Sequence, residues 1–154
     1  GVSAVQAGSI QSDDLAAGVG GKVLQVVQGS LSSSVSTTSA SAATGLKASI
    51  TPVSTNNKVL VHFHGTANVT GVSGIDIDLH RNGSKIVDSI VHADGYDNGA
   101  SGTNYSHPSA VYLDSPNASS SLEYELYFSN NAGETSGFSV SGRPCHIVLM
   151  EIAG

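Results

Sequence analysis

The stretch HIVLMEIAG, His146–Gly154, decides the fold class. Successive side chains of a strand alternate between faces. Ile147 and Leu149 therefore project one way, and Val148, Met150 and Ile152 project the other. A surface strand of an isolated β-sandwich is apolar on one face only. Near the other end, KVLQVVQ (Lys22–Gln28) repeats the doubly apolar pattern, with Leu24 and Val26 opposite Val23 and Val27. Together these stretches predict terminal strands that pair with each other and bury a second surface. The expected cover for that surface is another copy of the chain.

Working inward, KVLVHFHGT (Lys58–Thr66) sets Val59, Val61 and Phe63 against Leu60, His62 and His64. GIDIDLH (Gly74–His80) places Ile75, Ile77 and Leu79 inward and Asp76, Asp78 and His80 outward. Asn82–Gly83 follows as a hairpin turn whose residues accept positive φ, so SKIVDSIVH returns antiparallel. SLEYELYFS (Ser121–Ser129) gathers Leu122, Tyr124, Leu126 and Phe128 on one face. Weaker strands are expected at Ala43–Thr51, stopped by Pro52, and at Ala110–Leu113, stopped by Asp114–Ser115–Pro116. Gly137–Ser141 reads as a weak edge strand, and 146–152 closes the sheet. Eight or nine short strands separated by turn signals predict an all-β, antiparallel sandwich. Ala93–Ser109 has no apolar periodicity and reads as one long loop, a length that favours function. Residues 1–21 form a separate connector: Ser12, Asp13 and Asp14 can cap a single helical turn, and Gly20–Gly21 is a hinge.

The composition narrows the function. A chain of 154 residues makes one domain plus a short extension. Only 12% of residues are charged, about half the globular average, with Gly, Ser, Thr and Asn in their place. Such surfaces suit β-rich proteins that work outside cells or in particles. A formal charge of −6 with 6 Lys plus Arg argues against nucleic acid, which needs a basic footprint. The lone Cys145 excludes an intrachain disulfide and leaves an intermolecular bond or a buried thiol, of which the thiol is expected. No apolar run reaches membrane-spanning length.

GKVLQVVQ, ITPVSTNNKVLVHFHG, LDSP (Leu113–Pro116) and IVLMEIAG resemble the C-terminal head domains of bacteriophage tail fibres and related virion fibres, the cyanophage and marine-phage versions most closely. The likeness spans about residues 20–154 and rests on strand edges and turns rather than on a catalytic signature. It implies a homotrimeric jelly roll of the C1q/TNF-like type at the tip of a shaft. Residues 1–21 would then end the shaft and 22–154 form the head. It further implies a virion protein that attaches to a host-surface glycan or protein and contacts the upstream shaft or other virion proteins. A purely structural trimerisation or decoration domain is the alternative.

The candidate recognition residues lie in the long loop. Tyr96 and Tyr105 can stack on sugar faces, and Asp94, Asp97, Asn98, Asn104 and His107 can hydrogen-bond hydroxyls. His62 and His64, two apart on one strand, share a face. Three copies around an axis would offer six imidazole nitrogens, enough for an octahedral metal, and the resemblance adds that some fibre tips hold metal with His-x-His segments. With no Cys or carboxylate at motif spacing, an outward polar pair is the simpler reading, and no cofactor is expected. Asp76, Asp78 and His80 read as a solvated outer face, with Arg81 and Lys85 near enough to pair. Catalysis is not expected. AAGVGGKV has Ala16 where a phosphate loop needs its first Gly, and GVSGI has Ile75 where a nucleophile elbow needs its second. A polysaccharide-cutting enzyme would need a paired acid and base in a groove; only Asp76/Asp78 and Glu123/Glu125 come near that requirement, and side chains two apart on a strand are too close for the inverting geometry.

Overall fold

The computed structural model describes residues 23–70, 74–93, 102–130 and 134–154. The connector 1–21 lies outside these residues, as do Asp94, Tyr96, Asp97 and Asn98. Among the described residues the chain is all-β. Its first six strands are β1 (Val23–Leu31), β2 (Val35–Thr37), β3 (Ala42–Ile50), β4 (Lys58–His64), β5 (Ala67–Thr70) and β6 (Ile75–Arg81). The others are β7 (Ser84–Ala93), β8 (Thr103–Ser106), β9 (Ser109–Asp114), β10 (Leu122–Asn130), β11 (Ser136–Phe138) and β12 (Cys145–Ile152).

All pairings are antiparallel. One ladder has the order β1-β12-β4-β9, a second β3-β10-β6-β7, and a third β2-β11-β5-β8. The third repeats the first, because each of its strands adjoins in sequence the matching strand of the first. They are two halves of one bent sheet, which packs on the β3-β10-β6-β7 sheet. As the opening stretches predict, β1 and β12 pair, with Val26 opposite Met150 and Gln28 opposite Val148.

Alternation builds the core. Val59, Val61 and Phe63 of β4 and Ile147 and Leu149 of β12 meet Leu46, Leu79, Tyr124, Leu126 and Phe128 of the facing sheet, all buried. Each such side chain contributes roughly 1.5–3 kcal/mol on burial. Asn82 and Gly83 both take positive φ, 49° and 76°, the hairpin geometry expected of this pair. Gly29 and Gly65 are among the glycines that mark close approaches. A Cβ on Gly29 would lie 1.9 Å from the Lys47 carbonyl oxygen, where β1 crosses β3, and one on Gly65 would lie 2.5 Å from the Phe138 ring. Cys145 is buried, and its Sγ accepts a hydrogen bond from the Thr66 N–H at 3.3 Å.

Three expectations are corrected. The long loop is shorter than read: β7 runs to Ala93, and Thr103–Ser106 forms β8 on the edge of β5. Gly137–Ser141 is no edge strand. Ser136–Phe138 lies between β2 and β5, and Val140–Gly142 is a single 3-10 turn. Finally, Asp78 and His80 are buried rather than solvated. They do project from the outer face, but β7 shifts register beside them and folds over Asp78. Lys85 Nζ lies 2.8 Å from the Asp78 carboxylate, and the Ser89 N–H donates to it at 2.8 Å. His80 is covered by the Tyr127 ring, stacked at 3.7 Å.

Candidate functional site

Two surface features follow from this frame. The first is the outer face of β1-β12-β4-β9. The pairing aligns cross-strand rows: Val26, Met150, Leu60 and Leu113 form one, and Gln28, Val148, His62 and Val111 the next. Val26, Val111 and Leu113 are 58%, 60% and 47% exposed, while Leu60, Val148 and Met150 are half-buried. No carboxylate stands in these rows; Glu151 of β12 and Asp114 of β9 turn inward and are buried. Neighbouring apolar side chains therefore face solvent across β1, β12, β4 and β9.

The third row is Ser30, His146, His64 and Ser109. His62 and His64 are exposed, as their alternation predicts. His146 joins them: its ring meets that of His64 edge-on at 5.5 Å, and Gln28 Nε2 lies 3.2 Å from its Nδ1. Among the described residues, no group of three His, Cys, Asp or Glu is arranged to hold a metal. A metal at His62 and His64 would need ligands from further copies.

The second feature is a cleft of about 240 Å³ where the bent sheet kinks. Its polar wall comes from Tyr105, Ser106 and His107 on one side and Ser141 and Arg143 on the other, with Thr66, Ala67 and Val140 completing it. The turn carrying Arg143 is pinned from several directions. The Val140 N–H donates to Thr66 Oγ1 at 3.0 Å, the Gly142 N–H to Ser34 Oγ at 3.1 Å, and Ser139 Oγ to the Arg143 carbonyl at 3.0 Å. Ser139 and Ser141 both sit in the left-handed region, with φ of 53° and 58°. Such non-glycine strain persists only where surrounding bonds impose it.

Of the recognition residues predicted from sequence, Tyr105 and His107 reach the cleft. Asn104 pairs opposite Val69, is half-buried and does not line it. Arg143 was not anticipated; it lies between two strands with no motif around it, and only the folded turn brings it beside Tyr105.

Buried polar groups brace the first feature. Glu151 accepts hydrogen bonds from Gln25 Nε2 at 2.6 Å, the Val53 N–H at 2.7 Å and Asn57 Nδ2 at 2.5 Å. Burial opposes its ionisation, but the bonds from Gln25, Asn57 and Val53 outweigh it and hold the carboxyl below its ordinary range. Asp114 accepts from Arg81 and from the Tyr124 hydroxyl, and burial together with that carboxylate raises the phenol far above its usual range.

No family model matches the chain, and no curated protein matches it significantly. Among solved structures, the VP2 subviral particle of infectious bursal disease virus is similar at a TM-score of 0.41 and 12% identity, over 86% of this chain and 38% of that one. The Gx strain of the same virus scores 0.38 at 14% identity, over 84% of this chain and 37% of that one. Dimeric latent PorU from Porphyromonas gingivalis scores 0.38 at 10% identity, over 84% and 13%. The chain thus spans well under half the length of each.

Proposed function

We propose that the chain is the head domain of a virion fibre, a jelly roll that forms a homotrimer and binds a host-surface receptor. The strand orders β1-β12-β4-β9 and β3-β10-β6-β7 suit eight long strands wound as two Greek keys, the jelly-roll arrangement. The observation that carries the reading is the apolar outer face. On it Val26 of the terminal strand β1 and Val111 and Leu113 of β9 stand exposed in one chain. A second copy is the favoured occupant on charge grounds: the chain carries a net −6, and its central rows are free of carboxylates. Like chains therefore approach there with the least repulsion. Three copies would present three clefts, and weak sites held together gain avidity without new contacts.

Saturable adsorption of the labelled chain to bacterial cells, displaced by excess unlabelled chain, is the expected result. Adsorption that is linear and not displaceable, from a chain of trimeric mass, would leave the structural trimerisation domain in its place.

A further inference from the structure

We propose that the kink cleft binds an acidic sugar residue, with Arg143 taking the carboxylate and Tyr105 the ring face. This rests on the receptor-binding reading and names the ligand class of its site. Among the described residues, Lys47 pairs with Glu123, Arg81 with Asp114, and Lys85 with Asp78 and Asp88. Lys58 and Arg143 are exposed and have no carboxylate partner among them, although the chain is acidic overall, and of the two only Arg143 lines the cleft. A guanidinium offers a planar fork that matches a carboxylate in bidentate fashion, and its backbone is already fixed by the pinned turn. That pre-ordering lowers the entropy lost on binding.

The neighbours suit a sugar rather than a bare anion. Tyr105 is 67% exposed, a large ring left in solvent beside the cationic group. Ser106 lines the cleft between Tyr105 and His107, and its covered Oγ makes no hydrogen bond among the described residues. His107 and Ser141 add further hydroxyl partners. At about 240 Å³ the cleft is below the roughly 300–1,000 Å³ of sites for drug-sized ligands, which fits one ring of a polymer. A polyanion would demand more than one cation in the cleft, and Arg143 is the one Lys or Arg among its lining residues.

The test is calorimetry on the full chain with oligosaccharides of galacturonate, glucuronate and N-acetylneuraminate, each beside its carboxyl-reduced neutral form. At least one acidic form should bind, and its reduced form at least tenfold more weakly. Arg143→Ala should lose tenfold or more, Arg143→Lys less, and Tyr105→Ala several-fold, with melting temperature and native mass unchanged. Equal binding of acidic and reduced forms, wild-type affinity in Arg143→Ala, or no binding across the panel would overturn the proposal. Cell adsorption separates this failure from the broader one. If Arg143→Ala adsorbs like wild type, the receptor-binding reading stands and the cleft assignment falls; if wild type does not adsorb saturably, that reading falls too.

Discussion

Replacing Glu151 tests how the terminal strands are fastened. Its carboxylate ties Gln25 of β1 and the 51–57 segment to β12 through three hydrogen bonds. Glu151→Leu fills similar space but removes every acceptor. Gln25 also donates to the Thr51 carbonyl at 2.8 Å and is partly exposed, so it loses little. The buried Asn57 amide is left without that partner, at about 1–3 kcal/mol, whereas Val53 is exposed and its N–H turns to water. The expected loss is therefore about 1–3 kcal/mol. At roughly 2–4 °C per kcal/mol for a chain of this size, the melting temperature falls by about 2–12 °C. Glu151→Gln keeps one oxygen facing Val53 and Asn57 and should cost less. The pH dependence has a definite sign. A carboxyl held below its ordinary value in the fold stabilises above the unfolded-state value of about 4.3, and that contribution is lost as pH falls through the folded value. The gap between wild type and Glu151→Gln should thus narrow on acidification. Scanning calorimetry at one protein concentration, from neutral pH to below pH 4, measures both. A Glu151→Leu loss within the roughly 0.5 kcal/mol typical of surface changes, or a gap that widens in acid, would refute the reasoning.

Other consequences are more local. Gly29→Ala forces a methyl into the Lys47 carbonyl, so β1 must lift from β3; the melting temperature should fall while Gly83→Ala, with no heavy atom within 4 Å of the added Cβ, reports only backbone strain. Asp78→Ala should cost about 1–3 kcal/mol in urea unfolding, because the Ser89 N–H and Lys85 lose their buried acceptor; an unchanged midpoint would mean that the site is solvated after all. Val26→Asp with Val111→Asp should leave strand circular dichroism intact but reduce native mass to that of one chain, since both residues are exposed within it. A chelator should leave the native mass of the wild type unchanged if the apolar rows hold the copies together. Loss of assembly would instead make His62 and His64 metal ligands.

Most of the fold was legible where alternation was strong. β4, β6, β10 and β12 carry apolar residues at every second position, and side-chain period alone places them. β8 and β11 were not, because TNYS and SGF contain almost no apolar pattern; their pairing is set by continuity with β9 and β12 across the kinks. Alternation gave the correct side for Asp78 and His80 but not their burial, which depends on a register shift in the neighbouring strand. The site divided in the same way. Tyr105 and His107 stood out as exposed polar and aromatic residues in a turn-rich stretch. Arg143 and His146 become notable only through what the sheet sets beside them.

The native mass of the wild-type chain, measured by light scattering over a range of concentrations, decides whether the apolar outer face joins copies. A homotrimeric head has three times the 15.5 kDa of one chain. A mass of 15.5 kDa at every concentration would contradict it: the apolar outer face would then stand open in solution, and the fibre head would give way to a single sandwich module.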